Sequence, residues 1–267
     1  MKVLTRKDIS MTHRSAVVFM TLFVSLSGCA KDRSLAPPAD SEQMTITVKV
    51  PDELKARTLE AMYRSATCKR ITHGASGQRI ELQGYHGIEV QLEQQGESDL
   101  YQVRLPMDGG GACQWHLSNV TFGVAYVDPG RFGESVTYGT GGGVVVMFDN
   151  NRPSRSPGLP KKVDGDLIIK KDYYPWLSET FLGGYKKDIN LAGEGSGYFF
   201  YKAVHARQIY FEPVLHSRYA VRSEGAKVHK VGSYMKFIYP DGSIAANGHY
   251  RPDFRKLQAI RQAAENK

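Results

Sequence analysis

The stretch QWHLSNVTFGVAYVD, residues 114–128, decides the fold class, because apolar side chains recur at every second position along its second half: Val120, Phe122, Val124 and Tyr126. Alternation with a period of two is typical of a strand with one buried and one exposed face. The same pattern occurs in TITVKV (45–50), GIEVQLEQQ (87–95), LYQVRLP (100–106), GVVVMFDN (143–150) and DLIIKKDYY (166–174). The chain is therefore predicted to be mainly β.

Two segments have helical rather than strand character. DELKARTLEAM (52–62) follows a proline and predicts a short helix, and DFRKLQAIRQAA (253–264), also after a proline, predicts a longer one. Between strand runs, Asp241-Gly242 favours a hairpin turn. We therefore expect antiparallel strands in a sandwich or in two stacked β lobes, with a short N-terminal helix and a C-terminal helix.

The N-terminus has the layout of a secretory signal. Basic side chains precede the thirteen-residue stretch SAVVFMTLFVSLS (15–27), which ends on small residues. A bilayer-spanning helix needs about 20 apolar residues, so this stretch is too short to remain as an anchor. Both Met1 and Met11 would start a good signal, and the choice between them stays open.

The sequence Leu26-Ser27-Gly28-Cys29 resembles the bacterial lipobox. The resemblance implies that the signal is cut before Cys29, that the thiol carries a diacylglyceryl group and that the new amino terminus is acylated. Several acyl chains give stable membrane attachment. Ala30 stands where an aspartate would retain such a lipoprotein in the inner membrane, so the resemblance favours the periplasmic face of the outer membrane.

Composition divides the chain into five segments. Residues 1–28 are the lipoprotein signal peptide, and the polar, proline-containing residues 29–43 are expected to form a flexible tether. We expect an N-terminal β lobe with a disulfide at 44–149 and a C-terminal β lobe ending in a helix at 162–267. The intervening NNRPSRSPGLPK (150–161) has three prolines and no apolar pattern, which predicts a hinge or a long loop.

The charge is modest. The full chain carries a net charge of +8, and residues 1–28 hold four basic and one acidic side chain, which leaves +5 in the mature chain. No run of five basic residues indicates a nucleic-acid surface. A weak attraction to anionic surfaces or acidic partners stays open.

Two cysteines, Cys68 and Cys113, remain once Cys29 is lipidated. In an oxidising compartment they most simply pair with each other, with two buried free thiols as the alternative. Neither cysteine belongs to a finger-like pattern of metal ligands, so neither a metal site nor a cofactor is expected.

Catalytic motifs are not evident in the sequence. Gly193-Glu194-Gly195-Ser196-Gly197 places its serine one position too late for a nucleophile elbow, and the run 139–143 lacks the strand and helix that a nucleotide-binding loop needs. The histidines form no paired pattern. We expect a protein that is not an enzyme, although a triad assembled from scattered residues stays open.

Two segments around the cysteines, MYRSATCKR (62–70) and CQWHLSNVTFGV (113–124), resemble the periplasmic immunity lipoproteins that accompany phospholipase effectors of type VI secretion systems. The resemblance implies a non-catalytic inhibitor whose partner is the effector. It carries over only the lipidated Cys29 and the pair Cys68 and Cys113, and it assigns no partner-binding residue. The alternative is a structural or assembly lipoprotein of the bacterial envelope, and a periplasmic hydrolase is a third class.

Overall fold

The computed structural model describes residues 32–151 and 159–266, so the predicted signal peptide and Cys29 lie outside it. Its strands are β1 (Gln43–Lys49), β2 (Leu54–Ala56), β3 (Leu59–His73), β4 (Arg79–Val90), β5 (Glu93–Gln94), β6 (Leu100–Pro106), β7 (Asp108–Gly110), β8 (Trp115–Tyr126), β9 (Thr137–Tyr138), β10 (Gly143–Met147), β11 (Lys161–Lys162), β12 (Leu167–Thr180), β13 (Lys186–Ala192), β14 (Tyr198–Lys202), β15 (Gln208–Leu215), β16 (Val221–Glu224), β17 (Lys236–Ile238) and β18 (Ile244–Ala245). A 3-10 helix covers Pro129–Phe132, and one α-helix, α1, covers Phe254–Glu265.

The strands of the described residues form two sheets. The ten-stranded sheet has the order β18-β17-β16-β12-β15-β1-β6-β5, with β13 beside β12 and β9 beside β13. The eight-stranded sheet has the order β11-β14-β10-β8-β3-β4, with β2 and β7 also paired to β8. Phe122 on β8 meets Phe211 on β15 edge-on, with ring centroids 6.1 Å apart, so the two sheets face each other across one core. The mainly β fold is confirmed.

The sheets are mixed, whereas antiparallel strands were expected. β1 runs antiparallel to β6 but parallel to β15, and β12 runs parallel to both β15 and β16. Hairpin signals predict only the pairing of strands that follow each other in the chain. Parallel pairs between strands far apart in sequence leave no such local signal.

The two halves of the chain also interleave. Each sheet contains strands from before and after residues 150–161, and Asp32–Lys267 forms one compact unit. The predicted lobes 44–149 and 162–267 therefore do not correspond to separate sheets. A second, smaller core lies entirely in the C-terminal half, where α1 places Leu257 against Tyr174, Val221 and Phe237.

The predicted helix at 52–62 is wrong. This segment contains β2 and the start of β3, where Leu59, Ala61 and Tyr63 are buried and Glu60 is exposed. Burial of every second side chain in the sheet overrides a helix propensity that differs by only tenths of a kcal/mol between most residues. The C-terminal helix is confirmed, and Asp253 caps it by accepting from the backbone N–H groups of Arg255 and Lys256.

Buried tyrosines predict unfolding at alkaline pH. Burial raises the pKa of Tyr63 to about 12 and also raises the pKa values of Tyr126 and Tyr173. These phenols stay protonated in the folded chain while the unfolded chain begins to ionise near pH 10. The free energy of unfolding is therefore unaffected below that pH and falls above it, for Tyr63 by about 1.4 kcal/mol per pH unit up to its raised pKa.

Denaturant titrations between neutral pH and pH 12 measure this decline. The Tyr63→Phe variant is the control, because phenylalanine cannot ionise and its slope above pH 10 should be shallower. A denaturation midpoint that stays constant through this range would contradict the expectation.

Candidate functional site

The sulfur atoms of Cys68 and Cys113 lie 2.03 Å apart, and their Cα atoms 5.2 Å apart, which is disulfide distance. Both side chains are buried. The Ser65 hydroxyl stands beside the pair, donating to the Cys113 carbonyl at 2.5 Å and accepting from the Cys68 N–H at 2.8 Å. The predicted pair is thus brought together, at the base of the β3–β4 hairpin.

The first described residues, 32–36, pack on this pair. The carbonyl oxygen of Asp32 lies 3.6 Å from Cys113 Sγ, and the Trp115 indole donates to the Arg33 carbonyl at 3.0 Å. Ala36 donates to Gly109 at 2.9 Å, and Leu35 packs against the core. The described part of the predicted tether 29–43 is therefore docked rather than free, because Leu35 is apolar and the backbone finds partners along β7. We call residues 32–36, the two cysteines and Trp115 the disulfide end.

Beyond the disulfide, the β3–β4 hairpin continues as an arm without a core of its own. None of residues 69–83 is buried, whereas Cys68 and Gly84 at the base of the arm are. Two-stranded ribbons are at best marginally stable in water unless something packs on them. The arm is therefore held by its base, and one of its faces is open to a partner.

The two faces of the arm differ in chemistry. Arg70 pairs with Leu82 and Thr72 with Ile80, so these four side chains share one face. Tyr85, 53% exposed, is paired with Arg64 and lies three residues from Leu82, so the alternation of β4 places it on the other face. The Arg70 guanidinium lies 5.2 Å and the Arg64 guanidinium 5.9 Å from its ring centroid. We call the set Arg70, Thr72, Ile80 and Leu82 the hairpin face.

The opposite face of the arm carries more basic than acidic side chains. Glu81 lies there between two basic side chains, with its carboxylate 3.2 Å from Lys69 Nζ and 3.0 Å from a guanidinium nitrogen of Arg79. Ile71, which is paired with Glu81, is 53% exposed on this side. Both faces thus present exposed apolar groups together with net positive charge.

A second exposed surface lies at the turn between β12 and β13. The rings of Phe181 and Tyr185 are 5.6 Å apart, Lys227 Nζ lies 5.0 Å from the Phe181 centroid, and Leu182 and Val228 are exposed beside them. Tyr185 is 62% exposed. We call Phe181, Leu182, Tyr185, Lys227 and Val228 the tip cluster.

The tip cluster and the disulfide end lie at opposite ends of the ten-stranded sheet. Ile46 and Leu167 both pair with Ile209 in parallel strands, so β1 and β12 start at the same end, next to the docked segment. β12 then runs for fourteen residues to Thr180. At about 3.3 Å per residue, a strand of this length spans up to about 46 Å.

Two histidines that the sequence pattern left without a role form pairs with carboxylates. His216 Nε2 lies 2.8 Å from Asp172 Oδ1, under the stacked ring of Tyr174, and His205 Nδ1 lies 2.9 Å from Asp164 Oδ1. Such pairs are two-thirds of a hydrolase triad. Within the described ranges no serine hydroxyl is hydrogen-bonded to either ring, and the neighbouring Ser217 donates to Glu53.

A polar cleft of about 480 Å³ opens beside this pair, between β12 and the start of α1. Several of its charged groups already have partners: Lys171 pairs with Glu194 at 2.9 Å, and Asp253 caps the helix. The Ser196 hydroxyl, close by, exchanges hydrogen bonds only with the backbone of Tyr198. Among the described residues, the pair of His216 and Asp172 thus has no serine hydroxyl hydrogen-bonded to it.

Comparisons with known proteins found no relative. The sequence matches no protein-family model, and no curated protein and no solved structure is significantly similar to it. Among the residues that the structure covers, no helix is long and apolar enough to cross a bilayer. Residues 32–151 and 159–266 also contain no group of three His, Cys, Asp or Glu side chains arranged to hold a metal ion.

Of the predicted site residues, the structure thus brings Cys68 and Cys113 together, while Cys29 lies outside the described residues. Neither the tip cluster nor the hairpin face was predicted. The sequence does contain an indication of the tip cluster in the segment FLGGY (181–185), where two glycines separate aromatic residues just after a strand. The hairpin face depends on a bulge in β3 that the sequence does not reveal.

Proposed function

We propose that this chain is a lipid-anchored periplasmic protein that binds and neutralises a phospholipase effector of a type VI secretion system, and that the tip cluster is its binding surface. The observation that carries the proposal is the exposed aromatic and aliphatic cluster at the end remote from Asp32. Tyrosine and other aromatic side chains are enriched among the residues that dominate interface energetics, and binding residues are often on loops held by a rigid scaffold.

The position of the docked segment supports an inhibitor that works at the membrane. Three peptide bonds join Cys29 to Asp32, which spans at most about 11 Å. A lipid on Cys29 would therefore hold the disulfide end close to the bilayer and leave the tip cluster facing the periplasm. An effector that approaches the membrane from that side meets an inhibitor held at high local concentration.

The proposal is tested with purified residues 30–267 and the phospholipase effector that the proposal assigns as the partner. We expect the fragment to form a stable complex and to abolish hydrolysis of phospholipid vesicles at equimolar amounts. Tyr185→Asp should weaken the complex about 30-fold or more, the effect of losing an interface hot spot. Calorimetry on the two proteins gives the dissociation constant, and vesicle hydrolysis gives the inhibition.

Tyr250→Asp is the matched control, because Tyr250 is an equally polar-tipped side chain, 85% exposed and outside the tip cluster. It should bind and inhibit as the native chain does. Unchanged hydrolysis at excess native fragment would contradict the inhibitor function itself. Normal inhibition by the Tyr185→Asp variant would instead place the binding surface elsewhere on the molecule.

A further inference from the structure

The ends of the two sheets differ in length. β18, β5 and β11 end the two strand orders, and each has only two residues, a common way of keeping an edge from pairing with another chain. The fourth end is β4, which has twelve residues. It contains neither proline nor lysine, the residues that usually protect an exposed edge. Among the described residues β4 pairs only with β3, so one long edge is left open.

The direction of the backbone groups of β4 follows from its turn. Gly74 donates its N–H to the Gln78 carbonyl at 2.9 Å, so residue 78 is at a hydrogen-bonded position of the hairpin. In an antiparallel pair, such positions alternate with positions whose N–H and C=O point to the other side. The odd-numbered residues of 79–89 therefore direct their backbone groups away from β3, and all six of them are exposed. This edge can accept a further antiparallel strand.

The side of β4 that faces away from the core carries two like charges. Glu60 on β3 is directly opposite Glu89, and neither carboxylate forms an ion pair among the described residues. Like charges that are opposite each other in a sheet are destabilising. A groove of about 250 Å³ opens beside them, at Gly87, which has no side chain to fill it. The groove and its two carboxylates fit a cation from another chain.

A second copy of this chain has such a cation at the matching position. When β4 pairs antiparallel with β4 of a second copy about a two-fold axis at Gly84, Arg79 of each copy is opposite Glu89 of the other. A shift by two residues in one direction would place Glu81 opposite Glu89, and a shift in the other direction would place Gly77 there. Charge complementarity thus selects the register centred on Gly84.

The same register supports the arm, which has no core of its own. Ile80, on the hairpin face, is then opposite Ile88 of the second copy, which packs against the core of that copy. Leu82, 38% exposed, is opposite His86. Cross-strand pairs of this kind are the unit of sheet stabilisation, and a ribbon of two strands gains stability from a third. Each arm is therefore placed along the body of the other copy.

From this open edge, its charge pattern and its register we infer that the chain forms a symmetric dimer in which the β4 strands of two copies pair antiparallel, centred on Gly84. The same surface is used on both copies, as in most homodimers. The two eight-stranded sheets become one continuous sheet. The dimer does not depend on the proposed function, because no residue of the tip cluster belongs to β4.

Sedimentation equilibrium of residues 30–267 without lipid tests the dimer. We expect association with a dissociation constant in the micromolar range or below, weakened by salt. Glu89→Arg should raise this constant about 30-fold, because the repulsion with Arg79 occurs twice in a symmetric contact. Adding Arg79→Glu to the same chain exchanges the two charges and should restore association to the native level.

Glu93→Arg is the matched control, because Glu93 is an exposed glutamate on the two-residue edge strand β5. Its association should equal that of the native chain. Glu89→Arg also replaces a like-charge pair with an opposite-charge pair beside Glu60 of the same copy. The thermal midpoint of this variant should therefore be no lower than that of the native monomer, which separates loss of the dimer from misfolding.

A cross-link tests the register. Arg79→Lys supplies an amine that a carbodiimide can join to the carboxylate of Glu89 in the second copy. Within one copy these two residues are ten positions apart on one strand, which is about 33 Å and too far for a direct amide bond. Peptide mass spectrometry of the cross-linked dimer should find this link.

A chain that is monomeric at every concentration would overturn the inference. A dimer that Glu89→Arg leaves intact, or a double variant that stays dissociated, would also contradict it, since another surface would then hold the copies together. A monomeric chain whose Glu89→Arg variant no longer binds the phospholipase would show that the edge pairs with that protein instead. We expect the dissociated variant to inhibit the phospholipase normally, so failure of the dimer and failure of the inhibitor function are different results.

Discussion

Reduction of the bond between Cys68 and Cys113 is expected to lower the free energy of unfolding by about 4 kcal/mol. The two cysteines are separated by 45 residues. In the chain-entropy model, a cross-link that closes a loop of this length removes about that much conformational freedom from the unfolded chain. The expected loss is a large part of the 5–15 kcal/mol that is typical of folded domains.

Thermal unfolding with and without dithiothreitol measures this effect. For a domain of this size we expect the midpoint to fall by roughly 10 °C on reduction. The Cys68→Ala/Cys113→Ala variant is the control: it should unfold near the temperature of the reduced chain and should not respond to dithiothreitol. A native chain whose midpoint is unaffected by the reductant would contradict the expectation.

Hydrogen exchange shows where the reduced chain opens. The arm at 69–83 has no core of its own and depends on its disulfide-bonded base, so its amides should lose protection before those of β8 and β10. Loss of protection throughout the chain at the same rate would show that the bond stabilises only the whole fold.

The strands that were predicted from the sequence are those whose alternation is uninterrupted. β8 buries Val120, Phe122, Val124 and Tyr126, and Asp241-Gly242 lies in the turn between β17 and β18, with Gly242 at a positive φ of 81°. These features are local, because the pattern that indicates a half-buried strand or a two-residue turn is formed by residues that are adjacent in the sequence. The strand order is not local, and the parallel pairs of β15 with β1 and β12 could not be predicted.

The docking of residues 32–36 could not be predicted from the sequence, for a different reason. AKDRSLAPPADSEQ (30–43) is polar and contains prolines, which favours a tether, and its one large apolar residue, Leu35, is a weak signal by itself. The partners that hold Leu35 and its neighbours come from residues about 75 positions later, around Gly109 and Trp115. Contacts over such a sequence separation have no signature in the segment itself.

The cysteine pair could be predicted because the sequence has only three cysteines and one of them was assigned to the predicted lipobox, whereas the hairpin face could not. The register of β3 and β4 shifts between Ser65 and Arg70, where several residues of β3 are opposite one residue of β4. Each one-residue shift exchanges the two faces of a strand. Simple alternation therefore cannot assign Arg70 and Leu82 to one face and Ile71 to the other.

Gly84→Ala is expected to lower the free energy of unfolding by about 3 kcal/mol, the upper range for an overpacked core position. A Cβ atom on Gly84 would overlap the carbonyl oxygen of Cys68 and lie 3.6 Å from the Trp115 ring. The carbonyl belongs to the backbone and cannot rotate away as a side chain would. Because Cys68 is cross-linked to Cys113, its backbone has little room to yield.

Gly87→Ala in the same strand is the control, since the nearest atom to its added Cβ is Met62 Cε at 3.5 Å, an ordinary contact. It should be neutral or slightly stabilising, because alanine restricts the unfolded chain. Denaturant unfolding of both variants, repeated after reduction, tests the stated cause. If the disulfide holds the Cys68 carbonyl in place, Gly84→Ala should be less destabilising in reduced protein, and the two perturbations should not add. Equal losses in both redox states would show that the strand pairing alone fixes this carbonyl.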